Sequence, residues 1–446
     1  MKHKFRIIVG ILLLAIPLSM TAQVKPAKPK SQTEINEKEK AEVERLKIEK
    51  EKAEKERESQ IKPQVKPAEK PQAKPAERPE KPEKPGNDRP KLGDYIKLSG
   101  FAQAMYQANL DNDGKLLEGD KSNGFSMRRV RLSVEGTFVK GLTYKIQGDF
   151  TRKPMLVDAY LKYKPCNEFA IQIGQFKTPF SIESPINPVN LEIFDYGEAI
   201  QGLVGYKDVC GVGSLGRDLG IMATGSLFPI KGDEGIKYHV VEYSLGVFNG
   251  NGANEKDNNN RKDLVGRLDI HPGLKALTLS GSYYYGFYDK EYEEKGGNQF
   301  SSIHNGKRQR WSAGAQYNDG SVVVRAEYLS GTTDFMYHFY DLYLNDLGTG
   351  TVNQSSNGYY AVAGYNFKLG KEKSQTLMPV FRYEHFEPGD MDIPNGIYGK
   401  TNYYTAGLNY WPLKSVNCKL DYSLVEKVTG EKAYSHRLVG MVSYKF

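Results

Sequence analysis

The sequence lacks the long apolar runs from which helical membrane proteins are built. After residue 22, no stretch approaches the roughly 18 to 20 uninterrupted apolar residues that a membrane-spanning helix requires, and the mean hydropathy of the chain is -0.58. A helical membrane protein is therefore excluded. A soluble secreted protein and a β-barrel remain, because a barrel carries its membrane signal in alternation rather than in runs.

Residue types that carry catalysis or bind metal ions are also few or scattered. The three cysteines, Cys166, Cys210 and Cys418, lie far apart, and the seven histidines are dispersed, so neither a disulfide framework nor a metal cluster is indicated. No Gly-x-Ser-x-Gly, His-Glu-x-x-His or phosphate-binding loop motif occurs. We therefore expect no metal site, no cofactor and no enzymatic activity, and a barrel enzyme with its site at the rim is disfavoured.

The first 94 residues divide into three regimes. Lys2, Lys4 and Arg6 precede an apolar run at residues 7–18, and small residues follow up to Ala22, a pattern typical of a secretory signal peptide (residues 1–22). Residues 23–60 are rich in Glu and Lys and predict a charged helix or a weak coiled coil. Residues 61–94 repeat Lys-Pro and predict an extended linker, which we expect to lie in the periplasm.

The net charge of +8 belongs mostly to this N-terminal part. Residues 23–94 hold 20 Lys and Arg against 16 Asp and Glu, and the first 22 residues add three more positive charges. Only about +1 remains for residues 95–446. The basic balance therefore says little about the ligands of the main domain, and no nucleic-acid partner is expected.

From residue 95 onward, aromatic, β-branched and glycine-rich segments alternate between apolar and polar residues. In the segment 416–425, one parity is apolar and the other polar. A soluble β-sandwich would also alternate, but here the polar parity repeatedly carries opposite charges, which suits a water-filled lumen. We predict an all-β fold, a 16-stranded antiparallel transmembrane β-barrel over residues 95–446.

The predicted strands number sixteen. They cover 95–109, 124–138, 142–152, 156–164, 169–176, 218–228, 236–248, 263–271, 275–288, 307–317, 321–332, 357–367, 376–386, 401–411, 416–426 and 433–446. Short connections mostly alternate with long ones such as residues 333–356, as expected when turns face the periplasm and loops face outside. The chain ends on Phe446 in an alternating strand, which resembles the terminal signal read by the outer-membrane assembly machinery.

Four segments of the barrel resemble the phosphate-selective porin O and P family. They are Arg128-Arg129-Val130-Arg131-Leu132, Gly148-Asp149-Phe150, Val157-Asp158-Ala159-Tyr160-Leu161 and Ile173-Gly174-Gln175-Phe176-Lys177-Thr178-Pro179-Phe180-Ser181. The resemblance implies a homotrimeric channel in the outer-membrane lipid, with a third outer loop folded inward. It also implies that arginine and lysine conduct anions such as phosphate through the pore.

The resemblance implies that the long connection at residues 178–217 folds into the lumen and sets the pore diameter. An outer surface loop or an oligomer latch is the alternative. This connection is acidic, with Glu183, Glu192, Asp195, Glu198 and Asp208, so phosphate specificity is doubtful. The predicted pore-lining and substrate-binding residues are Arg128, Arg129, Arg131, Asp158, Lys177, Lys207 and Arg217. A scaffolding role for the arginines, paired with Asp149 and Asp158, is the alternative.

The leading functional hypothesis is passive diffusion of small hydrophilic solutes through an outer-membrane porin. The alternative is a structural protein that ties the outer membrane to the cell wall, with peptidoglycan as the partner of the N-terminal arm. The two roles can coexist.

Overall fold

The structure is a computed structural model that describes residues 96–117, 123–153, 155–233, 235–291, 300–340, 346–370, 374–389, 399–429 and 431–446. The predicted signal peptide, charged helical segment and linker lie outside the described residues.

These residues form eighteen β-strand segments, β1 to β18 in chain order. Their bounds are Ile96–Leu110, Gly124–Val139, Leu142–Asp149, Leu156–Tyr163, Ala170–Lys177, Arg217–Gly232, Gly235–Phe248, Asp263–Ile270, Leu277–Lys290, Phe300–Ser301, Ile303–Asn318, Val322–Tyr340, Asp346–Tyr365, Phe367–Leu369, Gln375–Glu387, Lys400–Leu413, Val416–Thr429 and Glu431–Lys445. The short segments β10 and β14 lie next to β11 and β13 in the chain. Each pairs with the same neighbouring strand as that segment does, so sixteen full strands result.

The sheet closes on itself, because β1 pairs with β18 as well as with β2. At the seam, the amide and carbonyl groups of Gly100 and Phe446 bond reciprocally, at 3.0 and 3.1 Å. Neighbouring strands are antiparallel around the whole circuit. The barrel therefore has no open edge, and the predicted 16-stranded antiparallel barrel is confirmed.

The two faces of the barrel reverse the usual arrangement of a soluble protein. On β17, Leu420 and Tyr422 point outward and are 54% and 46% exposed, whereas Lys419 and Asp421 are 3% and 1% exposed inside. The same contrast recurs on the other strands. An apolar exterior around a polar interior suits a barrel in lipid and excludes a soluble sandwich.

The connections alternate as predicted at one end of the barrel. Tight turns follow β2, β4, β8, β11 and β16, and β1 begins at this same end. The prediction of a loop at residues 333–356 is wrong, because β12 and β13 continue as a paired hairpin as far as Tyr340 and Asp346. Strands that project beyond the bilayer need no apolar outer face, so the alternation ends while the hydrogen-bond ladder continues.

The segment between β5 and β6, residues 178–216, folds into the barrel and is named here the inward loop. It contains a 3₁₀ turn, Pro188–Asn190, and one short helix, α1, Glu198–Val204. Phe180 and Ile200 of the loop are at most 1% exposed and pack in one apolar cluster with inner-wall residues such as Phe248 and Tyr360. A surface loop and an oligomer latch, the two alternatives, are therefore both wrong.

No helix within the described ranges is both long and apolar enough to cross a membrane.

Candidate functional site

The first part of the inward loop is tied to the barrel wall through Glu327 of β12. Its carboxylate accepts hydrogen bonds from the Ser181 hydroxyl at 2.9 Å and from the Ile182 amide at 3.0 Å. Arg267 of β8 donates to the Ser181 carbonyl at 2.5 Å. Ser181 adopts a left-handed backbone conformation, with φ of 73°, which reverses the chain at this point. These contacts turn the chain into the lumen directly after β5.

Two buried arginines hold the middle of the loop. Glu183, which is fully buried, lies 3.2 Å from Arg325 of β12 and 2.6 Å from Arg382 of β15. Glu192 also pairs with Arg325, at 2.5 Å. Burial alone would raise the pKa of Glu183, but Arg382 and Arg325 outweigh it, so the pKa is lowered and the carboxylate stays charged.

A third anchor holds the end of the loop. The Asp208 carboxylate accepts hydrogen bonds from both terminal nitrogens of Arg310, which lies on β11, at 2.6 Å each. Burial favours the neutral acid, yet Arg310 and Arg308 keep the pKa of Asp208 below its usual range. The neighbouring Cys210 is buried, and burial raises the pKa of its thiol to about 11. The loop is therefore fixed to the wall at its beginning, middle and end.

Another carboxylate of the inward loop, that of Asp195, is bound by two arginines of β2. Arg128 donates to one oxygen of Asp195, and Arg129 donates to the other at 2.6 Å. Two consecutive strand residues normally point to opposite faces. Here the register between β1 and β2 shifts at Gln103, which leaves Arg128 as the extra residue of a β-bulge, so both side chains reach the same carboxylate.

The contact between Asp195 and the two arginines lies between two cavities. Burial would raise the pKa of Asp195, but Arg129 and Arg128 dominate and lower it. The next residue, Tyr196, accepts a hydrogen bond from the Lys177 ammonium at 2.9 Å. A continuous row of contacts therefore runs from β2 through the loop to the end of β5.

The cavity on the short-turn side, named here the inner chamber, has a volume of about 450 Å³. Its charged lining consists of Arg131, Lys145, Lys177, Arg217 and Arg267, against Asp158 and Asp269. Arg217 bonds Asp158 at 2.7 Å, and Arg131 bonds Asp149 at 3.0 Å. Lys177 and Arg217 are direct cross-strand partners. Like charges placed opposite each other cost stability, and the ion pair between Arg217 and Asp158 offsets part of that cost.

One of the cavities on the long-loop side, named here the outer cavity, has a volume of about 590 Å³ and shares no lining residue with the inner chamber. Its charged lining is Arg128, Arg152, Lys207 and Arg437, against Asp195 and Glu198. Positive side chains outnumber carboxylates in both cavities. The sequence places Arg128 and Lys207 among the candidates without showing that they belong to this outer cavity.

The structure thus separates the seven predicted residues into two groups. Arg131, Asp158, Lys177 and Arg217 line the inner chamber, and Arg128 and Lys207 line the outer cavity. Arg129 lines neither cavity and bonds Asp195. Sequence reasoning missed the anchoring residues Arg308, Arg310 and Glu327. Their alternating positions on β11 and β12 mark them as inward-facing, but nothing in that pattern names the loop carboxylates or amides that they bind.

Across the described ranges, no three His, Cys, Asp or Glu side chains lie close enough together to bind a metal ion.

Comparisons with known proteins place this fold. The anion-selective porin from Comamonas acidovorans is 13% identical with a TM-score of 0.50, and the match covers 79% of this chain and 99% of that one. The outer-membrane channel DcaP of Acinetobacter baumannii (12% identical, TM-score 0.50, 79% and 97% covered) and Salmonella typhi OmpF (15%, 0.50, 79% and 98%) are similar in the same way. These likenesses show the fold, and no curated protein sequence matches. The family described as "Phosphate-selective porin O and P" matches residues 102–446, and the chain therefore belongs to this family of outer-membrane channels.

Proposed function

We propose that the barrel allows passive diffusion of small hydrophilic solutes and favours anions over cations. The observation that carries this proposal is the excess of positive charge in both cavities, on either side of the inward loop. Solutes would pass from the outer cavity to the inner chamber beside Asp195 and Tyr196, where the loop narrows the lumen.

The acidity of the inward loop does not oppose this preference. Glu183, Glu192, Asp195 and Asp208 each form an ion pair with at least one arginine of the barrel wall. Their charges are therefore neutralised locally and hold the loop in place. The cations of the two cavities line the solute path, where low-dielectric walls strengthen their field.

Arg131 supports the proposal in a second way. Its Nε donates to Asp149, but its two terminal nitrogens have no hydrogen-bond partner among the described residues. Such nitrogens can donate to a passing carboxylate or phosphate.

Reversal-potential measurements in planar bilayers test the proposal. Under a KCl gradient, the wild-type channel should show an anion-selective potential, and Arg131→Gln should move that potential toward the cation side. Lys275→Gln, which removes an exposed charge in the turn between β8 and β9, is the matched control and should change nothing. A cation-selective wild type, or a refolded barrel that never conducts, would contradict the proposal.

The finer assembly follows from the family resemblance. We expect a homotrimer in the outer membrane, inserted by the assembly machinery through the strand that ends at Phe446. β1 begins at the short-turn end, which supports a periplasmic location for the residues before it. A tether to peptidoglycan through residues 23–94 stays a prediction, and deleting residues 24–91 tests it: envelope defects with normal conductance would support it.

A further inference from the structure

We propose that the inner chamber binds organic anions that combine a carboxylate with a flat apolar body, as benzoate does, in preference to inorganic phosphate. This inference rests on the proposed channel function and adds a substrate class to it.

The first observation is the apolar part of the chamber. Besides its charges, the chamber is lined by Tyr160, Phe176, Met222, Pro179, Pro185 and Pro188. Tyr160 and Met222 are only partly buried, and Pro185 is exposed, so these groups present apolar surface to the space. Phosphate gains nothing from contact with an apolar surface, whereas an organic anion can bury its apolar part against it.

The second observation is a row of aromatic rings built over glycines. The rings of Tyr160 and Phe176 meet edge to face, with centroids 5.9 Å apart, and Phe176 meets Phe248 in the same way at 5.6 Å. Gly174 lies opposite Tyr160 on β5, and Gly220 lies opposite Gly174 on β6. A Cβ on Gly220 would lie 2.5 Å from the Phe248 ring and clash with it, so the ring can occupy this position only because residue 220 is glycine. Another ring can extend such an arrangement with favourable geometry.

The third observation is the presence of unused polar groups in the lining of the chamber. The Tyr160 hydroxyl, like the terminal nitrogens of Arg131, has no hydrogen-bond partner among the residues that the structure describes, and neither is sealed away from the chamber. Lys177 lies three residues beyond Gly174 on β5, which separates the backbone positions by roughly 10 Å. Lys177 therefore lies away from Tyr160 along the barrel wall, whereas Lys145 is the direct cross-strand partner of Tyr160.

Together these features match the chemistry of the proposed ligand. A carboxylate can accept hydrogen bonds from Arg131 while an attached ring rests against Tyr160 and Met222. The chamber volume of about 450 Å³ accommodates a small organic molecule. Acetate would use only the charged groups of the chamber, and phosphate would leave its aromatic and apolar side chains in contact with water.

Block of the KCl current in planar bilayers tests this inference. Benzoate, acetate and inorganic phosphate are added separately to the wild-type full-length channel, and the concentration that blocks half of the current is measured for each. The half-blocking concentration of benzoate should be lower than that of the other two by about tenfold, because its ring leaves water. Equal values for benzoate and acetate, or strongest block by phosphate, would overturn the inference without any variant.

Variants locate the effect. Tyr160→Ser and Met222→Ser should each raise the half-blocking concentration of benzoate toward that of acetate. Tyr160→Phe and Met222→Leu keep the apolar surface and should preserve the preference for benzoate. A preference that survives both serine variants would place the ligand elsewhere and refute the assignment. A wild type without KCl current refutes the channel proposal itself, whereas normal current without a preference for benzoate refutes only this inference.

Discussion

Replacing Asp195 with asparagine should make the channel more anion-selective. Asp195 neutralises part of the charge of Arg128 and Arg129 at the point that separates the two cavities. Asparagine keeps the size of the side chain and removes the negative charge. Both guanidinium groups then act on passing ions without an opposing charge.

The magnitude follows from Coulomb's law. An ion that passes roughly 6 Å from the altered charge gains or loses about 0.7 kcal/mol in water. Anions and cations change in opposite directions, so the difference is about 1.4 kcal/mol, or about tenfold in the permeability ratio. At about 0.1 M salt the Debye length is roughly 10 Å, and screening reduces the expected change to about fourfold.

The assay is the reversal potential under a KCl gradient, recorded for wild type, Asp195→Asn and Asp319→Asn. Asp319 lies exposed in the short turn between β11 and β12, so its replacement is the control and should leave the potential unchanged. Glu183 and Asp208 still anchor the inward loop in Asp195→Asn, so the single-channel conductance should stay unchanged. A changed conductance would show that the loop has moved. A potential that stays the same in Asp195→Asn, or shifts toward cations at unchanged conductance, would refute the reasoning.

The pKa of Asp195 also predicts how the difference in reversal potential between wild type and Asp195→Asn depends on pH. The arginines lower the pKa of Asp195 below its ordinary value of roughly 3.9. A carboxylate with a lowered pKa contributes its stabilisation at pH values above the ordinary pKa and loses it as the pH falls through the lowered value. Wild type and Asp195→Asn should therefore differ by the same amount at pH 7 and at pH 5.

Three further predictions concern stability and accessibility. Glu183→Gln removes the charged partner that Arg325 and Arg382 share. Docking of the inward loop should therefore be destabilised by about 3 to 5 kcal/mol, and the single-channel conductance should rise. Gly174→Ala should lower the heat-unfolding temperature on gels, because φ is +128° and the added Cβ would lie 2.2 Å from a backbone oxygen, whereas the control Gly440→Ala meets no atom within 4 Å. A maleimide should label exposed Cys166 but not buried Cys210, as mass spectrometry of the folded channel can show.

Most of the barrel could be predicted because its signals are local. Lipid on one side and polar lumen on the other impose a two-residue alternation on every strand, and that alternation is visible in the sequence. Where this requirement ends, as in the hairpin of β12 and β13 beyond residue 332, the prediction was wrong. The β-bulge at Arg128 was missed for a related reason, since parity counting assumes that no residue is inserted.

The candidate site was predictable only in part. The motif around Arg129 and Arg131 and the parity of β2 point these side chains toward the lumen. The partner of Arg129 is Asp195 of the inward loop, 66 residues away in the chain, whereas Arg131 pairs with Asp149 of β3. No local pattern encodes which loop carboxylate meets which wall arginine, because those pairs form only when the barrel closes around the loop.

The sequence by itself determined the class of fold, the number of strands and the side of each strand that meets water. Only the tertiary structure decided what the charges do. In the sequence, the acidic loop argues against anions, because charges can be counted there but not paired. In the folded barrel, Glu183, Glu192, Asp195 and Asp208 lie against buried arginines, and positive side chains outnumber carboxylates in the lining of both cavities. Coulomb interactions depend on distance and burial, and both of these are properties of the closed barrel.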